Sequence, residues 1–284
     1  MCNMSKYVLV IPQGGFNDCL SVITFAIEYC KRMNRILLLD MMNSIYKINF
    51  NDFFGIDIPN IIYDFDTIKQ MCLENNYTVY PKSLSNKLLD ILNGNIQFTY
   101  KDGNFLYNDS ILSTLRGYNV DEDIIVYSSW GGMEGIELFR NLTFKENIKE
   151  YCKQKLALLK DNNYLCIQVR NTDYKCDYQR LYNDFTEVIH SYDKVYIATD
   201  DKLVIDYFKS KHGNVYNFNV FPEEDTYVSL HTSDIHPTMK ILCLICDLVI
   251  ATNSRQLLSY SKGGYIELMY ACFCEKDNIL SKLL

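Results

Sequence analysis

The chain has 284 residues, 48% of them hydrophobic, which is enough to bury the core of one large domain or of two of roughly 100–150 residues. Abundant aromatics (23 Tyr, 15 Phe) and only 5 Pro exclude a disordered chain. A net charge of −7 excludes a broad cationic nucleic-acid surface but leaves room for a local basic pocket.

In chain order, residues 7–11 form a short apolar run suited to a buried parallel strand, and Gln13-Gly14-Gly15-Phe16-Asn17-Asp18 reads as a turn. Residues 20–33 carry apolar side chains at helical spacing (Leu20, Ile23, Ala26, Ile27, Cys30), and 35–40 is a second apolar strand. This strand–helix–strand opening points to α/β layers. From 41 to 120 the periodicity breaks down, which predicts short helices and irregular segments. Residues 123–128 read as a strand leading to Trp130-Gly131-Gly132, and 144–159 as a helix. Beyond a break at Asp161-Asn162-Asn163 the alternation is regular: strand 164–169, helix 177–190, strand 194–198, helix 203–211, strand 214–219, apolar helix 239–246, strand 248–252, helix 265–274. Strands alternating with helices predict parallel, doubly wound sheets.

The apolar run at 7–12 is shorter than the roughly 7–15 residues of a signal-peptide core. The longest apolar stretch, 241–251, is interrupted by Asp247 and falls short of the ~18 residues of a membrane span. The expectation is a soluble, cytoplasmic protein whose 11 Cys are reduced thiols. Cys243-Leu-Ile-Cys246 has CxxC form, yet no second pair or His cluster completes a zinc site, so these thiols, like Cys166, Cys272 and Cys274, read as small core residues. His190, His212, His231 and His236 have no zinc spacing, and no metal site is expected.

Ligands of doubly wound sheets bind outside the carboxyl ends of the strands. Four predicted strand ends carry unusual polar residues: Gly14-Gly15-Phe16-Asn17, Arg170-Asn171-Thr172-Asp173, Thr199-Asp200-Asp201 and Thr252-Asn253-Ser254. Gly14-Gly15 lets a backbone approach an anion at the following helix, or is an ordinary tight turn. Arg170 can grip phosphate oxygens with its planar fork, or form a structural ion pair with Asp173. Asp200-Asp201 can bind a metal or cap helix 203–211, and Ser254 can donate to phosphate or act as a cap.

Three of these segments carry a family resemblance. Ile167-Gln-Val-Arg-Asn-Thr-Asp-Tyr-Lys175 resembles the H-x-R-R-x-D signature of the α1,6-/α1,2-/protein O-fucosyltransferase superfamily, in the V-R-R-T-D-K version of core α1,6- and rhizobial chitin-oligosaccharide fucosyltransferases. Val195-Tyr-Ile-Ala-Thr-Asp-Asp201 resembles its second motif, Leu230-His231 a Leu-His in the loop that follows, and Asp247-Leu-Val-Ile-Ala-Thr-Asn-Ser-Arg-Gln256 its third. The opening Gly-rich turn is similar too, so the likeness spans roughly residues 164–275 and 7–40.

The resemblance implies a GT-B-like α/β fold: two Rossmann-type, doubly wound lobes facing a central cleft. Residues 1–145 would be the acceptor-side lobe and 146–284 the nucleotide-sugar-binding lobe. It implies an inverting, metal-independent transfer of a sugar from a nucleotide-sugar donor, GDP-fucose, to a glycan or glycoconjugate hydroxyl, with no cofactor, nucleic-acid partner or membrane span. Arg170 would meet the donor β-phosphate, and Asp173, Asp200 and Asp201 would position it and the donor loops. Gly14, Gly15, His231, Thr252, Ser254 and Gln256 would contribute to donor binding, and Asn17 or Gly15 would approach the sugar or acceptor. Asp18, Glu28 and Glu134 are the candidate bases. Two positions depart: Gln168 stands where the family has His, and Met239 where close relatives use Asp for guanine. Both bear on the base, which keeps open a related transferase with UDP-xylose or another GDP- or UDP-sugar. A nucleotide- or glycan-binding protein without catalysis is the reading from a different class.

Overall fold

The computed structural model describes residues 5–112, 115, 119–132, 135–222, 230 and 232–284. The chain divides into two compact units, Met1–Thr143 and Phe144–Leu284.

The first unit opens as the pattern predicts, with β1 (Tyr7–Gln13), α1 (Phe16–Met33) and β2 (Ile36–Leu39). Val8, Leu9, Val10 and Ile11 are all buried, so β1 has no solvent face and reads as a continuous apolar run rather than an alternating one. α1 starts at Gly15, whose N–H donates to the Asp18 carboxylate at 3.1 Å, and stops at Asn34, which adopts the left-handed conformation (φ 51°). The stretch that follows holds β3 (Phe54–Ile56), β4 (Ile61–Ile62), α2 (Phe65–Glu74), β5 (Val79–Tyr80) and α3 (Leu88–Leu92). An antiparallel meander of β6 (Thr99–Lys101), β7 (Asn104–Tyr107) and β8 (Ser110–Ile111) comes next. Then come β9 (Ile124–Trp130), α4 (Ile136–Phe139) and β10 (Leu142–Phe144), the last pairing with β3. The main sheet is parallel, in the order β4-β2-β1-β9-β5, and Gln13 pairs with Trp130 at its carboxyl edge. Its edge strands β4 and β5 arise inside the region read as irregular; each is two residues long, too short to show a period.

The second unit holds α5 (Glu146–Leu159), β11 (Leu165–Val169), α6 (Tyr178–Asp184), α7 (Thr186–His190), β12 (Val195–Thr199), α8 (Lys202–Lys211), β13 (Val215–Tyr216), α9 (Pro237–Asn253), β14 (Gln256–Ser259), α10 (Gly264–Cys274) and α11 (Lys276–Leu283). Its parallel sheet runs β13-β12-β11-β14. The helix predicted over 177–190 is two, separated at Phe185 (φ −117°, ψ 20°). The strand predicted over 214–219 keeps only two residues, because the Asn217 and Asn219 side-chain amides donate to the carbonyls of Ile197 and Thr199 in place of a backbone ladder.

One correction moves the candidate site. Residues 248–252, read as a strand, are the last turns of α9, which starts at the His236 cap with Pro237 in its first turn. From Lys240 to Thr252 all but Leu242 are buried. A helix buried nearly all round shows no 3.6-residue stripe, and its apolar run imitates a buried strand. The strand is β14, which begins after the turn at Ser254 and Arg255. Among the described residues no helix is long and apolar enough to cross a membrane. Cys166, Cys243, Cys246 and Cys272 are buried as read, but Cys274 is exposed, because α10 turns that position outward.

Candidate active site

Arg170 is the first residue after β11, so the strand delivers it to the carboxyl edge of the second sheet. Its Nε donates to Asp173 Oδ1 at 2.8 Å and Nη2 donates to Oδ2, a fork on a carboxylate; the guanidinium carbon lies 5.8 Å from the centroid of the Tyr174 ring. The side chains of Arg170 and Asp173 are 29% and 43% exposed, so the pair lies at an opening rather than in the core.

The turn that carries Arg170 is held by the acids of the neighbouring strand end. Asp200 accepts the Asn171 backbone N–H at 2.8 Å and the Thr172 hydroxyl. Asp201 accepts the Asn171 side-chain amide at 2.7 Å and also caps α8 through Leu203 N–H at 2.8 Å. Burial pushes the Asp200 carboxyl up, an effect opposed by the donors from Thr172 and Asn171. The vicinal acids are thus engaged with backbone and side-chain donors, and among the described residues no group of His, Cys, Asp and Glu is arranged to hold a metal ion.

The third wall is the loop after β14, which sequence reasoning missed. The Arg170 backbone N–H donates to Ser261 Oγ at 2.8 Å, Ser261 N–H donates to Ser259 Oγ, and Ser259 Oγ donates to Gln168 Oε1. The loop ends at Gly263, the N-cap of α10, with φ +116°; a Cβ there would lie 3.2 Å from Arg170 Nη1. Glycine therefore provides both the backbone conformation and the room beside the guanidinium. A cavity of about 560 Å³ opens on this corner, lined by Arg170, Lys175, Arg180 and Lys262 with Asp177 the one acid among its lining residues. A helix N-terminus, hydroxyls and a cluster of cations at the carboxyl end of parallel strands are groups that favour an anion. The signal was in the sequence: Ser259-Tyr-Ser-Lys-Gly-Gly264 follows an apolar pair and precedes a helix.

The remaining candidates lie elsewhere. Thr252 and Ser254 are fully buried, with hydroxyls bonded to Leu248 O, and to Ala251 O and Gln256 O. Gln256 pairs with Leu165, the first residue of β11, and accepts from Tyr192 OH. These three therefore stand at the amino end of the sheet, roughly 16 Å of strand from Arg170 at ~3.3 Å per residue, and the strand-end position read for Thr252 and Ser254 is corrected. Asn17 is corrected as well: it is buried, and its Oδ1 accepts Gly135 N–H at 2.9 Å, so it ties α1 to the start of α4 instead of reaching out. Gly14 and Gly15 lie at the carboxyl edge of the first sheet as read, with Asp18 bound to Gly15 N–H. His231 and Glu134 lie outside the described residues.

Two parallel α/β sheets in two units, with the polar strand ends described above, define the GT-B class of glycosyltransferase fold. Solved fucosyltransferases share it. The chain superposes on NodZ α1,6-fucosyltransferase soaked with GDP-fucose with a TM-score of 0.60 and 16% identity, over 93% of this chain and 91% of that one. For fucosyltransferase NodZ from Bradyrhizobium the TM-score is 0.62 at 16% identity, over 94% and 93%. POFUT1 in complex with GDP gives 0.60 at 10% identity, over 98% and 97%. The likeness is one of fold. No protein-family model matches the sequence, and neither does any curated protein.

Proposed function

We propose that the chain is an inverting fucosyltransferase that moves fucose from GDP-fucose to a hydroxyl of a glycan or glycoconjugate. Residues 146–284 would hold the donor and 1–145 the acceptor. The observation that carries the reading is Arg170, fixed by Asp173 beside the N-terminus of α10 and opening on a cation-lined cavity. In the reaction the acceptor oxygen attacks the anomeric carbon, the bond to the β-phosphate oxygen breaks, and the acceptor proton passes to a general base. Negative charge grows on the departing diphosphate. A guanidinium already oriented by a carboxylate, and N–H groups of a helix start, meet that charge without reorganising, and such preorganisation is the largest lever an active site has. The fold shared with structures that contain GDP-fucose or GDP supports guanine as the base.

The test is a thermal-shift titration with GDP, UDP and ADP, followed by turnover of GDP-fucose. Selective stabilisation by GDP is expected, worth about 2.7 kcal/mol at a hundredfold excess over Kd. Selective stabilisation by UDP rejects the fucosyl donor in favour of a UDP-sugar, and stabilisation by none of them rejects the transferase.

A further inference from the structure

The chain has a single tryptophan, and it is not in the core: Trp130 is 42% exposed. It is nevertheless fixed. The indole stacks on Phe105 (centroids 5.8 Å apart, planes at 28°) and receives Tyr100 edge-on at 5.7 Å. Its Cε3 edge lies over Gly14, where an added Cβ would come within 2.9 Å of it, at a backbone φ of +90° that already favours glycine. β9, the meander and the turn after β1 thus hold an aromatic face in place while leaving much of it open.

That face lines a cavity of about 480 Å³ within the first unit. The rest of the lining combines aromatic and aliphatic side chains with the neutral, polar Ser21, Ser128, Ser129 and Asn104, and no charged side chain is among the described residues that line it. Ser21 Oγ donates to Asp18 O, Ser128 Oγ to Ile11 O, and Ser129 Oγ to Trp130 O. A serine hydroxyl has one proton, so what these three offer a ligand is acceptor lone pairs. The matching ligand is uncharged, rich in hydroxyl donors, and has one apolar face of C–H bonds to lay on an indole. A pyranose ring has all three properties; a phosphate or a peptide carboxylate has none. We infer that this cavity is the subsite for a neutral saccharide, with one ring of the acceptor glycan stacked on Trp130. The inference rests on the proposed transferase for the word acceptor, and on the pocket itself for the saccharide.

Tryptophan emission, excited beyond the tyrosine absorption band, reports on Trp130 alone, because the chain has no other tryptophan. The chain is titrated with the tetrasaccharides of glucose, mannose and N-acetylglucosamine, with a heparin tetrasaccharide as the anionic control. At least one neutral sugar is expected to give a saturable change in emission, and the anionic one none. Calorimetry then follows the variants: Trp130→Ala and Tyr100→Ala should weaken binding roughly three- to tenfold, with Trp130→Phe between them and wild type. GDP affinity of the same variants serves as the control for folding. No response to any neutral sugar, an equal response to heparin, or wild-type affinity in Trp130→Ala overturns the inference. GDP binding with no sugar response sinks the subsite and spares the transferase, whereas a sugar response in a chain that binds no nucleotide does the reverse.

Discussion

Arg170→Ala separates a reacting cation from a structural one, because the two roles differ in size. As a structural member Arg170 contributes little. Its ion pair with Asp173 joins side chains that are 29% and 43% exposed, and such half-solvated pairs are worth about 0–1 kcal/mol. The contact with the Tyr174 ring adds about 0.5 kcal/mol, and the bond to Ser261 uses the backbone N–H, which alanine keeps. The variant should therefore melt within a few degrees of wild type. As the group that meets the leaving diphosphate it contributes far more: deleting one preorganised donor costs roughly 10²- to 10³-fold in kcat, or about 2.7–4 kcal/mol. Arg170→Lys keeps a charge but cannot fork onto Asp173, so it should recover only part of the loss. The assay is release of GDP from GDP-fucose, with melting curves on the same samples. Turnover of Arg170→Ala within about threefold of wild type refutes the reasoning, and so does collapse of the fold, which would make the residue a structural member after all.

Three further variants test other parts of the second unit. Asp247 on α9 is buried, accepts Tyr196 OH and the Asn219 amide, and is pushed by burial to about 7 from 3.8. The folded state thus holds this proton more tightly than the unfolded chain, so stability falls as pH rises between about 4 and 7 and is level above that. Asp247→Asn removes the titration, and its denaturant-unfolding free energy relative to wild type should be higher at about pH 8 than at about pH 5 by at most roughly 2–3 kcal/mol; an equal difference at both pH values refutes the assignment. Ser254→Ala should cost about 0.5–1.5 kcal/mol of stability by removing the buried hydroxyl's bonds to Ala251 O and Gln256 O while GDP affinity stays at the wild-type value, whereas Ser261→Ala should weaken GDP; loss of GDP binding in a folded Ser254→Ala variant contradicts the placement of the site.

Much of the scaffold was legible because its central strands are buried on both faces. β1, β2, β11 and β12 appear in the sequence as short apolar runs, and the polar residues at or just past the ends of β11 and β12 mark the carboxyl edge. Arg170 and Asp173 could be read for that reason: strand 165–169 had the right end. α9 could not be read, because its period is erased by burial on nearly every side. Taking its last turns for a strand did more than shift a boundary. In a parallel sheet the carboxyl ends all lie at one edge, so replacing a strand by the helix before it carries the assigned residues to the opposite edge. Thr252 and Ser254 therefore stand at the edge opposite Arg170, and Ser259 and Ser261, one element further along the chain, stand beside it. Asn17 failed for another reason: its turn was placed correctly, but nothing local reveals that Gly135, 118 residues away, would take its side chain. A local pattern can name the edge of a sheet at which a residue stands; whether its polar atoms open on a cavity or on a neighbouring helix is decided by long-range packing, and in this chain that distinction separates Arg170, which lines a cavity, from Asn17, which accepts from Gly135.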